Sequence, residues 1–187
     1  MTASFHVLTT GYAHDRVAGT VTLLTEGDTL AVVDPGMVAD RGLILDPLAE
    51  RGIDARQITD VIFSHHHPDH TLNAALFPCA RFHDHMAVYR DDIWEDRPAD
   101  GFALSPSITL MTSPGHTAED VSTLVRTDQG LVVLTHLWWG EQGPADDPFA
   151  PDRAQLRSSR EKILALGPTL IVPGHGAPFA PSSSTPV

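Results

Sequence analysis

Three stretches near the start of the chain, His6 to Thr9, Thr20 to Thr25 and Leu30 to Val33, are dense in Val, Leu and Thr, and Glu26-Gly27-Asp28 places turn residues between the last two. This pattern predicts an opening β-meander. After Asp34-Pro35-Gly36 the period changes: Val38, Leu43, Leu45, Leu48 and Ala49 recur at roughly helical spacing as far as Gly52, predicting a helix. Val61-Ile62-Phe63 then reads as a short, wholly apolar strand. Leu72 to Phe77 predicts a short helix and Ala80 to His83 a strand. Three further strands follow at Ile108 to Thr112, Val121 to Arg126 and Leu131 to Leu134, the last two joined by Thr127-Asp128-Gln129-Gly130. Leu156, Ile163, Leu164 and Leu166 mark a final helix that begins near Asp152 and stops at Gly167-Pro168, and Thr169 to Val172 is the closing strand. Strands in two groups, each followed by a helix, predict an α+β chain in which two sheets pack face to face with helices outside.

Length and composition narrow this picture. The chain has 187 residues, 42% hydrophobic and 19% charged, which fits one globular domain over residues 1–180 with a frayed tail at 181–187. A domain of this size buries about 70% of its unfolded surface and needs no disulfide; Cys79, the single cysteine, could form none within the chain. The formal charge of −12 disfavours nucleic acid as a partner. The first residues, MTASFHVLTTGYAHDR, lack the basic and apolar regions of a secretory signal, and no apolar run approaches a membrane span. A cytoplasmic protein acting on a small molecule, as a monomer or homodimer, is therefore expected.

Histidine is the anomaly. There are 11, against 12 Lys and Arg together, and His65, His66, His67 and His70 crowd into six residues with Asp69 among them. Four sets of histidines follow predicted apolar strands: this cluster, His116, His136 and His175. If the strands lie side by side, their ends bring the imidazoles to one rim. His65 and His67, two apart in an extended segment, face the same side while His66 faces away; Pro68 keeps the segment from continuing as a regular helix, and the following loop presents Asp69 and His70. Imidazole and carboxylate suit zinc or iron(II), and the lack of paired cysteines excludes a thiolate site. One metal would take His65, His67 and His116, and a second Asp69, His70 and His175. His66, His6 and His14 read as surface residues, and His83 and His85, flanking Asp84, as possible pocket contacts.

The run Ser64-His65-His66-His67-Pro68-Asp69-His70 matches the His-x-His-x-Asp-His signature of the metallo-β-lactamase fold superfamily. With Val33-Asp34-Pro35-Gly36, Ser113-Pro114-Gly115-His116-Thr117 and Val172-Pro173-Gly174-His175-Gly176, the chain resembles that family over most of its length, and Leu76-Phe77-Pro78 and Gly176-Ala177-Pro178-Phe179 resemble its small members. The resemblance implies a four-layer αβ/βα sandwich with two divalent metal ions at its rim. It assigns His65, His67 and His116 to the first ion, Asp69, His70 and His175 to the second, and to Asp34 the role of propping the histidine loop. Where the family has a bridging Asp after a strand, this chain has Val132-Val133-Leu134-Thr135-His136-Leu137, which puts His136 in the bridging position. An imidazole nitrogen has one lone pair, so the substitution removes both a bridge and a negative charge.

The first functional expectation is a metal-dependent hydrolase of an ester, thioester, amide or phosphoester, with zinc as the first candidate ion and iron or manganese as alternatives. Asp69 would be the catalytic carboxylate that takes a proton from the attacking water. Trp138 and Trp139 would wall the pocket, and Gly140 to Pro148 would form a mobile acidic loop at its mouth. The competing expectations are a mononuclear iron oxidoreductase of the sulfur-dioxygenase type and a metal-binding scaffold without catalysis.

Overall fold

The computed structural model describes residues 2–187. The first half of the chain contains β1 (Ser4–Thr9), a small hairpin of β2 (Tyr12–Ala13) and β3 (Val17–Ala18), β4 (Val21–Glu26), β5 (Thr29–Val33), α1 (Gly42–Glu50), β6 (Asp60–Ile62), a single helical turn α2 (Pro68–Thr71), and then β7 (Arg81–His83), β8 (Ala87–Arg90) and β9 (Ile93–Asp96). The second half contains β10 (Ala103–Ser105), β11 (Ile108–Thr112), β12 (Val121–Thr127), β13 (Gly130–Thr135), α3 (Arg153–Ala165) and β14 (Leu170–Pro173). One sheet has the order β1-β4-β5-β6-β7-β8-β9 and the other β10-β11-β12-β13-β14.

Strand alternation explains the layering. In β5, Ala31 and Val33 point into the core between the sheets, while Val32 points outward to pack with Ile44 and Leu48 of α1. In β13, Val132 and Leu134 enter the same inter-sheet core, while Val133 packs outward with Leu156 and Ile163 of α3. Strands apolar on both faces need cover on both faces. The result is a four-layer αβ/βα sandwich, as expected.

Local signals operate as read. The β4–β5 turn is Gly27-Asp28, with Gly27 at φ +57°, and Asp152 caps α3 by accepting from the amides of Ala154 and Gln155. Several elements differ from the sequence reading: β2, β3 and β10 have no counterpart in the apolar pattern, and the helix predicted over Leu72 to Phe77 is a single 3-10 turn at Ala74–Leu76. Pro68 opens α2 instead of preventing it, because a proline at the first helical position gives up an amide that would be unpaired anyway. The β8–β9 hairpin was not anticipated. Its strands carry little apolar alternation and are held by stacking on one surface, Phe82 on Tyr89 and Tyr89 on Trp94, with ring centroids 5.9 and 5.1 Å apart.

Direction matters more for the site. β5, β6 and β7 are mutually parallel, β13 and β14 are parallel, and β11 shares their direction through two antiparallel pairings with β12 between. Carboxyl ends from both sheets thus meet at one rim, where Val121 N donates to Ser64 O at 2.7 Å and Thr20 N to Gly174 O at 2.8 Å. At the opposite rim Glu26 accepts from the Ser105 and Ser107 hydroxyls and from Ser107 N, tying the sheets together there as well.

Candidate metal centre

β5 is followed by Asp34, which sits at φ +51°, a conformation uncommon outside glycine. The turn aims its carboxylate back under the histidine loop. Asp34 Oδ1 accepts from Ser64 N at 2.8 Å, and Oδ2 accepts from Ser64 Oγ at 2.7 Å and pairs with His70 Nδ1 at 2.8 Å. One buried side chain therefore holds both ends of the Ser64–His70 loop.

Beyond β6 the backbone stays extended through His65 and His67, and His65 Nε2 lies 3.0 Å from His67 Nδ1. His116, at the turn after β11, brings its Nε2 to 3.0 Å from the same His67 nitrogen. On the other side, Asp69 Oδ2 lies 3.2 Å from His70 Nε2 and 3.6 Å from His175 Nε2. His136 stands between these groups: its Nε2 is 3.2 Å from His175 Nε2, and its ring centroid is 4.1 Å from His116 and 4.6 Å from both His65 and His70. Donor atoms of His65, His116 and His136 lie within 4.8 Å of one another, and so do those of His70, His136 and His175. The backbone at Gly174 makes this approach feasible, since a Cβ there would come within 2.2 Å of His136 Cδ2.

The far nitrogens are held from outside. His65 Nδ1 meets Ser64 Oγ at 2.9 Å, His116 Nδ1 meets Asp147 Oδ2 at 2.8 Å, and His175 Nδ1 donates to the Ala18 carbonyl at 3.0 Å. Such partners fix each ring and leave the opposite lone pair aimed inward. His70 Nε2 and His136 Nδ1 are buried and make no hydrogen bond. Burial pushes the basicity of His65 and His136 down, and the surrounding imidazoles push it further, so both rings stay neutral with free lone pairs. Burial lowers His70 as well, but Asp34 and Asp69 outweigh it and raise His70 to about 9. For Asp69, burial pushes upward, but the adjacent His70 and His175 rings outweigh it and keep it below the usual carboxylate range. Imidazoles crowded nitrogen to nitrogen, with a carboxylate at one side, form a donor set that fits one or two divalent cations.

The seven candidate ligands are thus gathered in one place, with Asp34 behind them. The two tryptophans separate. Trp139 faces the cluster, 6.0 Å from the His116 ring, whereas Trp138 is fully buried against Phe179 and donates to the Pro186 carbonyl. Adjacent residues on this irregular segment point to opposite sides, so Trp138 packs in the core and forms no pocket wall. Nor does the acidic loop behave uniformly: Asp147 is buried, accepting from His116 Nδ1 and Trp139 Nε1, each at 2.8 Å. Phe149, stacked on Trp139 at 5.9 Å and exposed, completes an apolar edge beside His67 and His116. Sequence reasoning missed Asp147, Phe149 and Arg160. Arg160 reaches from α3 to the Leu137, Pro144 and Ala145 carbonyls and pins the loop that bears Trp139. A run of acidic, proline and glycine residues carries no local sign of these contacts. His83 pairs with Asp60 at 2.8 Å, away from the cluster.

Comparison with known proteins agrees with this geometry. A family profile described as the metallo-beta-lactamase superfamily matches residues 14–136. The chain is 31% identical over 190 residues to the Xenopus laevis metallo-beta-lactamase domain-containing protein 1, covering 94% of this chain and 81% of that one. Among solved structures, a metallo-beta-lactamase-like protein of Thermotoga maritima superposes with a TM-score of 0.75 at 21% identity, covering 97% of this chain and all of that one. An N-acyl homoserine lactone hydrolase with its product at the catalytic metal centre superposes with a TM-score of 0.68 at 19% identity, over 93% of this chain and 92% of that one. At these identities the structural likenesses speak for the fold.

Proposed function

This chain belongs to the metallo-beta-lactamase superfamily, and from that premise we propose that it is a metal-dependent hydrolase of a small ester, thioester, amide or phosphoester, with zinc as the first candidate ion. The observation that carries the reading is the convergence of His65, His67, Asp69, His70, His116, His136 and His175 from strand ends of both sheets, with rings oriented from outside. A bound divalent ion supplies Lewis-acid polarisation and lowers the pKa of water. His65, His67 and His116 would hold one ion and Asp69, His70 and His175 a second, with His136 adding a nitrogen to one of them. Asp69 has the only carboxylate among these ligands and would take a proton from the attacking water. Trp139 and Phe149 offer an apolar edge against which an acyl group can lie. The charge of −12 opposes binding of a polyanion.

Metal analysis with turnover of an activated ester tests this. Two equivalents of zinc or manganese at this centre, with hydrolysis abolished by His116→Ala, supports the reading. The scarcity of carboxylate among the ligands favours a second one, a single iron centre that consumes oxygen with a thiol substrate. One equivalent of iron, oxygen uptake and no ester turnover would replace the first reading with the second. His136→Asp restores a carboxylate at the bridging position and is expected to raise retention of the second ion. Unchanged metal content and hydrolysis in this variant would remove His136 from the ligand set.

A further inference from the structure

His66 faces away from the centre, and it is not alone there. Its Nε2 lies 3.4 Å from Asp84 Oδ2, and one donor atom from each of His66, Asp84 and His85 lies within 4.8 Å of the other two. We propose that His66, Asp84 and His85 form a separate site for a zinc-class divalent cation, outside the centre described above.

Four observations support it. First, 3.4 Å is longer than a charge-assisted hydrogen bond, typically about 2.7–2.9 Å, yet close to the roughly 3.3 Å edge of a tetrahedron with zinc–ligand bonds near 2.0–2.1 Å. Second, the His85 Nδ1 atom is buried and makes no hydrogen bond. Third, Asp84 is held in place by its other oxygen: Oδ1 accepts from Met86 N at 2.8 Å and Ala87 N at 2.7 Å, which leaves Oδ2 for the imidazoles. Fourth, this buried carboxylate has no cationic partner other than His66 among the ion pairs of the described residues; nearby Arg97 instead gives its Nη2 to Ala87 O and His83 Nδ1. Two imidazoles and a carboxylate are a borderline donor set that prefers zinc to magnesium or calcium. Glu119 borders the cluster, with Oε2 3.9 Å from His85 Nδ1 and Oε1 accepting from His66 N at 3.3 Å, so a fourth position is open to it or to water. A cation here would tie the loop of His65 and His67 to the β7–β8 turn.

Equilibrium dialysis of the full chain against buffered zinc, followed by metal analysis, tests the proposal. Wild type is expected to hold one zinc per chain more than either Asp84→Asn or His85→Ala. That loss should add to the loss caused by His116→Ala, which removes a ligand of the first ion in the other centre. Equal zinc in wild type and His85→Ala overturns the proposal and leaves His66 and Asp84 as an ordinary ion pair. The His85 side chain is 32% exposed, so its truncation leaves the core intact and decides the matter even if Asp84→Asn fails to fold.

Discussion

The Asp147 carboxylate serves two N–H donors with one oxygen and the Phe149 amide with the other. Truncating it frees the His116 ring to rotate and leaves the partly buried Trp139 indole N–H without an acceptor. Asp147→Ala is therefore expected to weaken metal retention about ten- to a hundredfold, read by competition with a chromogenic chelator. Asp147→Asn, which keeps one acceptor oxygen, should recover part of the loss. Retention equal to wild type in both variants would mean that His116 is oriented by something other than this carboxylate. Asp34 acts from the opposite side on Ser64 and His70. Its position before Pro-Gly was visible in the chain, whereas Asp147 became recognisable only once the loop folded back over His116.

At the scale of elements, α3 does more than cover the second sheet. Leu156 and Ile163 pack on Val133 and Ile171, as their spacing predicts, but Arg160 lies fully buried on a helix whose charged residues otherwise face water. Its guanidinium satisfies three carbonyls of the segment after β13, using the planar fork that a lysine lacks. Arg160→Lys is expected to destabilise the fold by about 1–3 kcal/mol, the cost of leaving the buried Leu137 carbonyl unpaired. A urea titration measures this; a change below about 0.5 kcal/mol would show that water or a lysine ammonium satisfies the same carbonyls. The β8–β9 hairpin presents the converse problem. Its exposed strands lack the apolar alternation that identifies β5 or β13, so its stability comes from aromatic stacking that sequence periodicity does not register.

For the whole molecule, the donors are divided between the two sheets: His65, His67, Asp69 and His70 follow β6, while His116, His136 and His175 follow β11, β13 and β14. An ion bound among them joins the two halves of the sandwich. Ion binding to the folded chain alone adds about 4 kcal/mol at a thousandfold excess over its Kd. Chelation should accordingly lower the thermal midpoint, and added zinc should restore it. An unchanged midpoint after verified metal removal would show that no ion bridges the sheets.

Local pattern alone was enough for most of the core elements and for the donor types near β6. Two-sided apolar strands require cover on both faces, and the spacing of His65, His67, Asp69 and His70 selects metal-binding donors, because these follow from local period and side-chain type. Which residues meet was set by the packing of the two sheets and the paths of the loops. These placed His136 between the two groups of ligands, sent Trp138 into the core and Trp139 to the rim, drew Asp147 onto His116, and brought His66 beside Asp84 and His85. Contacts between residues far apart in sequence depend on strand order, direction and loop path, and none of these is encoded in the spacing of neighbours along the chain.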